Sequence, residues 1–538
     1  MGERRPATGW IAEHRVALVL GLIVAVGAAL RIWEATFSVT GDEVSTLYIV
    51  KGNGFLDAIR VVKGDAEITP PLNFALSWFA VRLGDAPELV RLPALISGII
   101  SIPLVFWLGR KTIGDRAGLI GAAVLALSPF MIFFSGNGRA YTLMIMLLAG
   151  STIAMLLASE TGRSRWWWVA YGLLSCLAMY SHYTAFFILA AQLAWLLVMR
   201  RDSWIPALLA NAGAALLFLP WIGGLRSDLD SPTTEVLEAL QGTGFEAKRI
   251  AVEGWAFGHP FIDPSKLPGT AAMLAITIGL AVATALTVIA LRNGSGEVHG
   301  DPAPEAGRER LLGIPAGLLL ILLIALATPV GELLLGVTGT NLFGARNMAP
   351  SWYGFALLIG AELAIPRGRA ALACTLVVLG GYAFATFDLM KPESRPVDFK
   401  GPASVIDREA KPGDVVVDVL AAISSPVPLT PLDVHSDSTL NVHNINQPQG
   451  PPPFLASKSQ PIPPYIEFPQ AFREAKGHQA FLLVPGIFNV EDNEESGRNL
   501  KEARIEGTNF YLPKSATVTD VQTFDGYIDS VLYTINVG

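Results

Sequence analysis

Charge and cysteine are both scarce in this chain. Only Cys176 and Cys374 occur among 538 residues, each inside an apolar run. They leave no disulfide framework, CxxC redox pair or thiolate zinc site. Charged residues make up 16%, against roughly 25% in a soluble globular chain. A basic surplus is missing too: the formal net charge of −7 argues against a nucleic-acid partner. Hydrophobic residues instead reach 51% and mean hydropathy is +0.45. That balance excludes a water-soluble protein of this size and identifies an integral membrane protein.

A helix needs about 20 apolar residues to span a hydrocarbon layer of roughly 30 Å, because lipid cannot satisfy an exposed backbone polar group. Eleven runs qualify, with cores near 16–35, 89–108, 117–135, 140–158, 166–180, 183–199, 204–222, 269–291, 311–336, 347–365 and 370–387. The first follows arginines but lacks a small-residue cleavage site, so it is expected to be an anchor and not a cleaved signal peptide. If eleven helices alternate, Arg4, Arg5, Arg15, Arg110, Lys111, Arg116, Arg163, Arg165, Arg200, Arg201, Arg292, Arg308, Arg310, Arg367 and Arg369 fall on one side. Positive residues concentrate on the cytoplasmic side, so the N-terminus is expected there.

The opposite side then receives the loop 36–88, the loop 223–268 and everything after about residue 388. In the first loop, GFLDAIRVVKG presents Phe55, Leu56, Ile59, Val61 and Val62 as a short amphipathic stretch suited to a membrane surface. Beyond Lys391 hydrophobic runs shorten and charge rises, marking a soluble domain large enough for its own core. The expected organisation is a transmembrane domain over 1–387 and an extracytoplasmic α/β domain over 388–538. FKGPASVIDREA has helical spacing and runs into the buried strand PGDVVVDVL; FPQAFREAKGHQAFLLVPG repeats that order, and GRNLKEARIEG precedes short β-rich segments. Pro431 to Pro464 is rich in Pro, Asn, Ser and Gln and is assigned no regular structure.

The residues that carry chemistry lie on the outer side. Asp42 and Glu43 follow the first helix in TGDEVSTLYIV, and carboxylates at a bilayer edge are costly unless solvated or paired. Taken alone, the pair is explained more simply as solvated charge at a helix end; its context points the other way. Glu67 lies in the same loop, before the stiff turn EITPPLNF set by Pro70 and Pro71. Two such acids fit glycosyl transfer: one takes the proton of an attacking hydroxyl, the other orients the acceptor or steadies an oxocarbenium-like transition state. A phosphate leaving group needs no general acid but does need cations. Arg139 in SGNGRAYTLM and Arg346 in NLFGARNMAPSW stand at outer helix ends, where a snorkelling arginine is also common. His182 in the SHYT turn and Tyr141 share that side as substrate-binding groups or interfacial anchors.

In this order the motifs GDEVSTLY, EITPPLNFALSWF, ELVRLPALISGIISIPLVFWLGRKTIGDRAGLIGAAVLALSPFMIFFSGNGRAYTLM, YSHYTAFFILAAQ and ARNMAPSW resemble the GT-C superfamily of membrane glycosyltransferases. The likeness covers about residues 30–390 and is to the branch of protein O-mannosyltransferases and the lipid A aminoarabinose transferase. It implies an inverting transfer from a polyprenyl-phosphate-linked sugar to a lipid, glycan or protein acceptor at the extracytoplasmic face of a bacterial inner membrane. By the same resemblance Asp42 is the catalytic base, with Glu43 beside it and Glu67 as second acid, and Arg139 and Arg346 bind the donor phosphate. Asn137 and Thr69 stand where relatives commonly carry an acidic residue and a histidine. Both changes remove metal ligands, so no cofactor is assigned and dependence on a divalent cation stays open. The main rival is a transporter or lipid flippase, but such proteins concentrate ionisable groups near the bilayer midplane in two related halves, and no half-repeat is visible.

Overall fold

The computed structural model describes residues 7–160, 164–231, 242–292, 310–420, 429–437, 440–444, 468–486, 490–491, 503–505, 511–513 and 515–538. Two compact units divide the chain. The larger takes Met1–Ala35, Val62–Ser77 and Arg91–Leu389; the smaller takes Thr36–Val61, Trp78–Val90 and Met390–Gly538. The smaller unit therefore includes two pieces of the first loop as well as the C-terminal segment.

In chain order the first helices are α1 (Ala7–Glu34), α2 (Asp42–Gly52), α3 (Phe55–Val61), α4 (Leu72–Ala80), α5 (Leu92–Thr112) and α6 (Asp115–Leu127). Next come α7 (Pro129–Gly136), α8 (Tyr141–Ala158), α9 (Trp166–Ser181), α10 (Ala185–Met199), α11 (Trp204–Phe218) and α12 (Ile222–Leu229). The larger unit closes with α13 (Phe245–Phe257), α14 (Thr270–Arg292), α15 (Ala316–Val337), α16 (Trp352–Ala364) and α17 (Arg369–Leu389). Each of the eleven expected apolar runs is helical. Among the described residues seven helical stretches are long and apolar enough to cross a membrane, and α6 with α7 forms an eighth as a pair bent by 59°.

Three expected spans are shorter: α9, α10 and α16 have 16, 15 and 13 residues. At 1.5 Å per residue, α16 rises only about 20 Å of a roughly 30 Å layer. Each of the three is nevertheless an apolar helix within the larger unit.

Helices without a hydrophobic drive between them associate through close packing of small residues. On α5, a Cβ at Gly109 would fall 2.6 Å from the Cα of Gly118 on α6, and one at Gly360 on α16 would fall 2.3 Å from the carbonyl oxygen of Ala117. No larger side chain fits at either crossing.

The break between α6 and α7 has an identifiable cause. Pro129 offers no N–H, so the carbonyls at the end of α6 lose their helical partners. Arg31, fully buried on α1, supplies them: one Nη donates to Leu125 at 2.9 Å, the other to Ala126 and Gly27 at 3.0 Å each. Ser128 then caps α7, accepting from the Met131 N–H at 3.3 Å. Replacing Arg31 by Met should lower the melting temperature of the purified protein, since the stranded carbonyls cost about 2–4 kcal/mol together. Arg31→Lys, which keeps a donor, should lie between. An unchanged or higher melting temperature for Arg31→Met would mean that the buried cation is a net burden and not the brace of this bend.

The smaller unit is built on a five-stranded mixed sheet. Its strands are β1 (Val415–Asp418), β2 (Asn441–Asn444), β3 (Gln479–Pro485), β4 (Ala516–Phe524) and β5 (Ser530–Val537), ordered β2-β1-β3-β5-β4. β1 runs parallel to β2 and β3; β5 is antiparallel to β3 and β4. Successive strand residues face opposite sides. Val416, Phe481 and Leu483 meet Phe399, Ala403 and Ile406 around α18 (Lys400–Glu409), while Val415, Val417, Leu482 and Val484 meet Ala471 and Phe472 of α20 (Phe468–Glu474). This is the α/β arrangement expected from the helix-then-strand order.

The stretch assigned no regular structure departs from that expectation at its start. Pro431–His435 forms α19, held by a capping box in which Thr430 and Asp433 satisfy each other's backbone, and Asn441–Asn444 pairs onto β1. Most of the remainder to Pro464, and residues 497–502 of GRNLKEARIEG, lie outside the described residues. The first-loop segment is stitched into this unit: the Ser38 hydroxyl donates to Asp398 at 2.9 Å, the Val39 N–H donates to His435 at 2.8 Å, and Lys400 pairs with Glu88.

Candidate active site

Within the larger unit, five of the seven sequence-predicted site residues come together. The α7–α8 turn delivers Arg139. Gly136 ends α7 flush against α1, where a Cβ would fall 2.4 Å from Glu34 Cγ, and the chain bends through Asn137–Ala140 before α8 begins at Tyr141. The stiff Pro70–Pro71 segment is tied to this turn twice. Asn73 Nδ2 donates to the Gly138 carbonyl at 2.9 Å. Arg139 grips Glu67 with both Nη atoms, at 3.2 and 3.1 Å to the two carboxylate oxygens.

That fork-to-fork pair is nearly enclosed, the side chains being 10% and 12% exposed. Such geometry is the strongest that an arginine and a carboxylate make. Its consequence is that the Arg139 charge is already balanced and both Glu67 oxygens are engaged. Arg346 differs: among the described residues no hydrogen bond or ion pair engages its half-buried guanidinium.

His182 lies within the electrostatic reach of both arginines. Its pKa falls from 6.5 to about 3, first through burial and then through the charges of Arg139 and Arg346. The Thr184 N–H donates to His182 Nδ1 at 3.3 Å, which leaves the proton of the neutral ring on Nε2. Tyr141 lies against the same ring, with centroids 5.2 Å apart and planes at 37°. The cluster is thus a neutral imidazole with one N–H, an uncommitted guanidinium and a neutralised ion pair. It suits an anion.

Other residues that fix this cluster were not singled out from sequence. Tyr183, next to His182, donates to the Asp228 carboxylate on α12 and accepts from Trp221 Nε1 at 3.0 Å. Burial, then Asp228, pushes the Tyr183 hydroxyl pKa well above its usual value. α12 also packs on Val62–Ala66, the turn before Glu67, with Lys63 lying over Gly223. One short helix therefore braces both the Glu67 segment and the His182 turn.

Asp42 and Glu43 are in the smaller unit. They open α2 directly after Gly41, whose φ of 52° is a conformation glycine adopts at little cost. Glu43 is 1% exposed, whereas Asp42 is exposed. Among the described residues no three His, Cys, Asp or Glu side chains converge as a metal-ligand set.

His259 is a second enclosed imidazole, its pKa brought to about 3 by burial and its ring 4.3 Å from that of Phe133. Between about pH 3 and the ordinary 6.5, the unfolded chain takes up protons that these two rings refuse. Acid must therefore destabilise the fold, by up to about 1.4 kcal/mol per pH unit and ring in that window. The melting temperature should fall as pH drops from 7 to 4.5, and His182→Gln or His259→Gln should each flatten the slope. An identical slope in both variants would refute neutral burial.

The dolichyl-phosphate-mannose-protein mannosyltransferase family matches residues 69–223, a segment holding Arg139, Tyr141 and His182. YycA of Bacillus subtilis (strain 168), which carries the provisional description of a mannosyltransferase, is 29% identical over 148 residues. That match takes 27% of this chain and 21% of YycA, so the chain spans about a fifth of the length of this curated relative. Among solved structures, ArnT from Cupriavidus metallidurans bound to undecaprenyl phosphate superposes with a TM-score of 0.55 at 13% identity, covering 99% of both chains.

Proposed function

We propose that this multi-pass membrane protein, which has the GT-C fold that ArnT has, is an inverting glycosyltransferase that moves a sugar from a polyprenyl-phosphate donor to a cell-envelope acceptor. The observation that carries the proposal is the convergence of Arg346, Arg139, Glu67, Tyr141 and His182 on one anion-suited cluster. The mannosyltransferase family segment supports the same reading, because it contains the turns that bear Arg139 and His182.

In this mechanism an acceptor hydroxyl attacks the anomeric carbon. The bond from that carbon to the phosphate oxygen breaks, and the lipid phosphate departs with the electron pair. Asp42 takes the acceptor's proton, with Glu43 beside it. Arg346 balances the departing phosphate, the His182 Nε2–H hydrogen-bonds it, and Glu67 holds the Arg139 guanidinium in place. Fixed donors aimed at developing charge cost no reorganisation when the bond breaks. The membrane is proposed to be a bacterial inner membrane, with the N-terminus cytoplasmic and the smaller unit outside, following the arginine pattern. Acceptor recognition by the smaller unit belongs to the same proposal.

The test is reconstitution of the full chain in vesicles containing radiolabelled polyprenyl-phosphate sugars, with release of free lipid phosphate as the readout. A deletion strain should also lose one class of envelope glycan or glycolipid. If every donor stays intact and the envelope is unaltered, the enzyme reading fails.

A further inference from the structure

A groove of about 640 Å³ runs between α9 and α11, lined by none of the candidate site residues. Its floor is made of small residues. Gly172 approaches α11 so closely that a Cβ would lie 3.0 Å from the Ala210 carbonyl, whereas around the Cβ position of Gly213 nothing lies within 4 Å. The walls are apolar and face outward: Leu173 is 48% exposed and Leu209 is 67% exposed. From Ile205 to Leu217 the lining spans 12 helical steps, about 18 Å. That matches one leaflet of a hydrocarbon layer of roughly 30 Å.

The two ends differ. Leu217 closes one end with hydrocarbon, while Arg165 stands at the other. Among the described residues no acid pairs with Arg165. Trp166 and Trp204, 76% and 50% exposed, flank that end as aromatic residues flank a membrane–water interface. A single apolar chain one leaflet long, ending in a negative headgroup, matches the groove in length, polarity and charge. Basic positions between transmembrane helices bind anionic lipid heads in this way.

We infer that this groove is a binding site for an anionic glycerophospholipid, with one acyl chain over Gly172 and Gly213 and its phosphate at Arg165. The site is independent of the proposed transferase chemistry. A polyprenyl chain is much longer than one leaflet, and a zwitterionic lipid, whose phosphate is offset by its own cation, would gain less from an uncompensated arginine.

Native mass spectrometry of the full chain in detergent, titrated with phosphatidylglycerol and phosphatidylcholine of identical chains, tests the assignment. The wild-type protein should retain one phosphatidylglycerol about fivefold more tightly than phosphatidylcholine, the preference one interfacial arginine supplies. Gly213→Trp fills the groove and should abolish that retention, while Arg165→Gln should equalise the two lipids. Retention by Gly213→Trp at the wild-type level would overturn the inference, as would equal binding of both lipids by the wild type. Tighter binding of polyprenyl phosphate than of phosphatidylglycerol would overturn the choice of occupant.

Discussion

Asp42→Asn is expected to reduce turnover by about 10²–10⁴-fold, the contribution of a positioned general base, while leaving the donor KM within a few-fold of wild type. The substitution keeps the shape of the side chain and removes only its capacity to take a proton. The choice of Asp42 over Glu67 rests on the ion pair: Glu67 has both oxygens on Arg139, and a carboxylate so engaged is a poor proton acceptor. Glu43 is 1% exposed, so a change there would confound catalysis with folding. Asp42, exposed at the first position of α2, is the acid whose replacement reads chemistry alone. Transfer by Asp42→Asn at a wild-type rate, with a normal melting temperature, would remove it from the mechanism.

Much of the architecture was legible because lipid imposes simple rules. A backbone that cannot meet water must be helical, and the eleven apolar runs are helical. Arg139, Arg346, Tyr141 and His182 could be placed near one another from topology, since each lies where a span meets one face. Pairing was not legible. Glu67 and Arg139 are 72 residues apart, and nothing in EITPPLNF shows that its acid reaches SGNGR; the two became partners only once α4 and the α7–α8 turn were locked by Asn73. The acid read as a second catalytic group stands in the structure as the ion-pair partner of Arg139.

Arg31 was missed although its signal was present. A lone cation inside an apolar run must be solvated by something, and the proline of LALSPF, which strips a helix end of its partners, was the complementary half. Span length was overcalled for the same reason that it was detected: hydropathy counts apolar residues and does not see where a helix stops. Ala349–Ser351 winds as a 3₁₀ turn, so α16 starts at Trp352 although the apolar run starts earlier. Membership of the first loop in the smaller unit was invisible, because it depends on Ser38 meeting Asp398 across 360 residues.

Arg346→Ala and Arg139→Ala should part company in a way that tests the whole cluster. Arg346 carries an uncommitted charge among the described residues, so its truncation should leave the melting temperature nearly unchanged. Donor KM should nevertheless rise about 10–100-fold, since a hydrogen bond to a charged group contributes about 1.5–3 kcal/mol. Arg139→Ala takes the bidentate arginine from a carboxylate only 12% exposed, and breaking an enclosed ion pair from one side costs about 3–5 kcal/mol. Its first effect should be lost stability. Adding Glu67→Gln removes the uncompensated charge and should restore most of that loss, yet activity should stay low if the paired guanidinium also shapes the anion site around His182. Three melting curves and three donor titrations decide the matter. A donor KM unmoved by Arg346→Ala would mean that no phosphate rests on this guanidinium, and the convergence of arginines around a neutral imidazole would then be structural only.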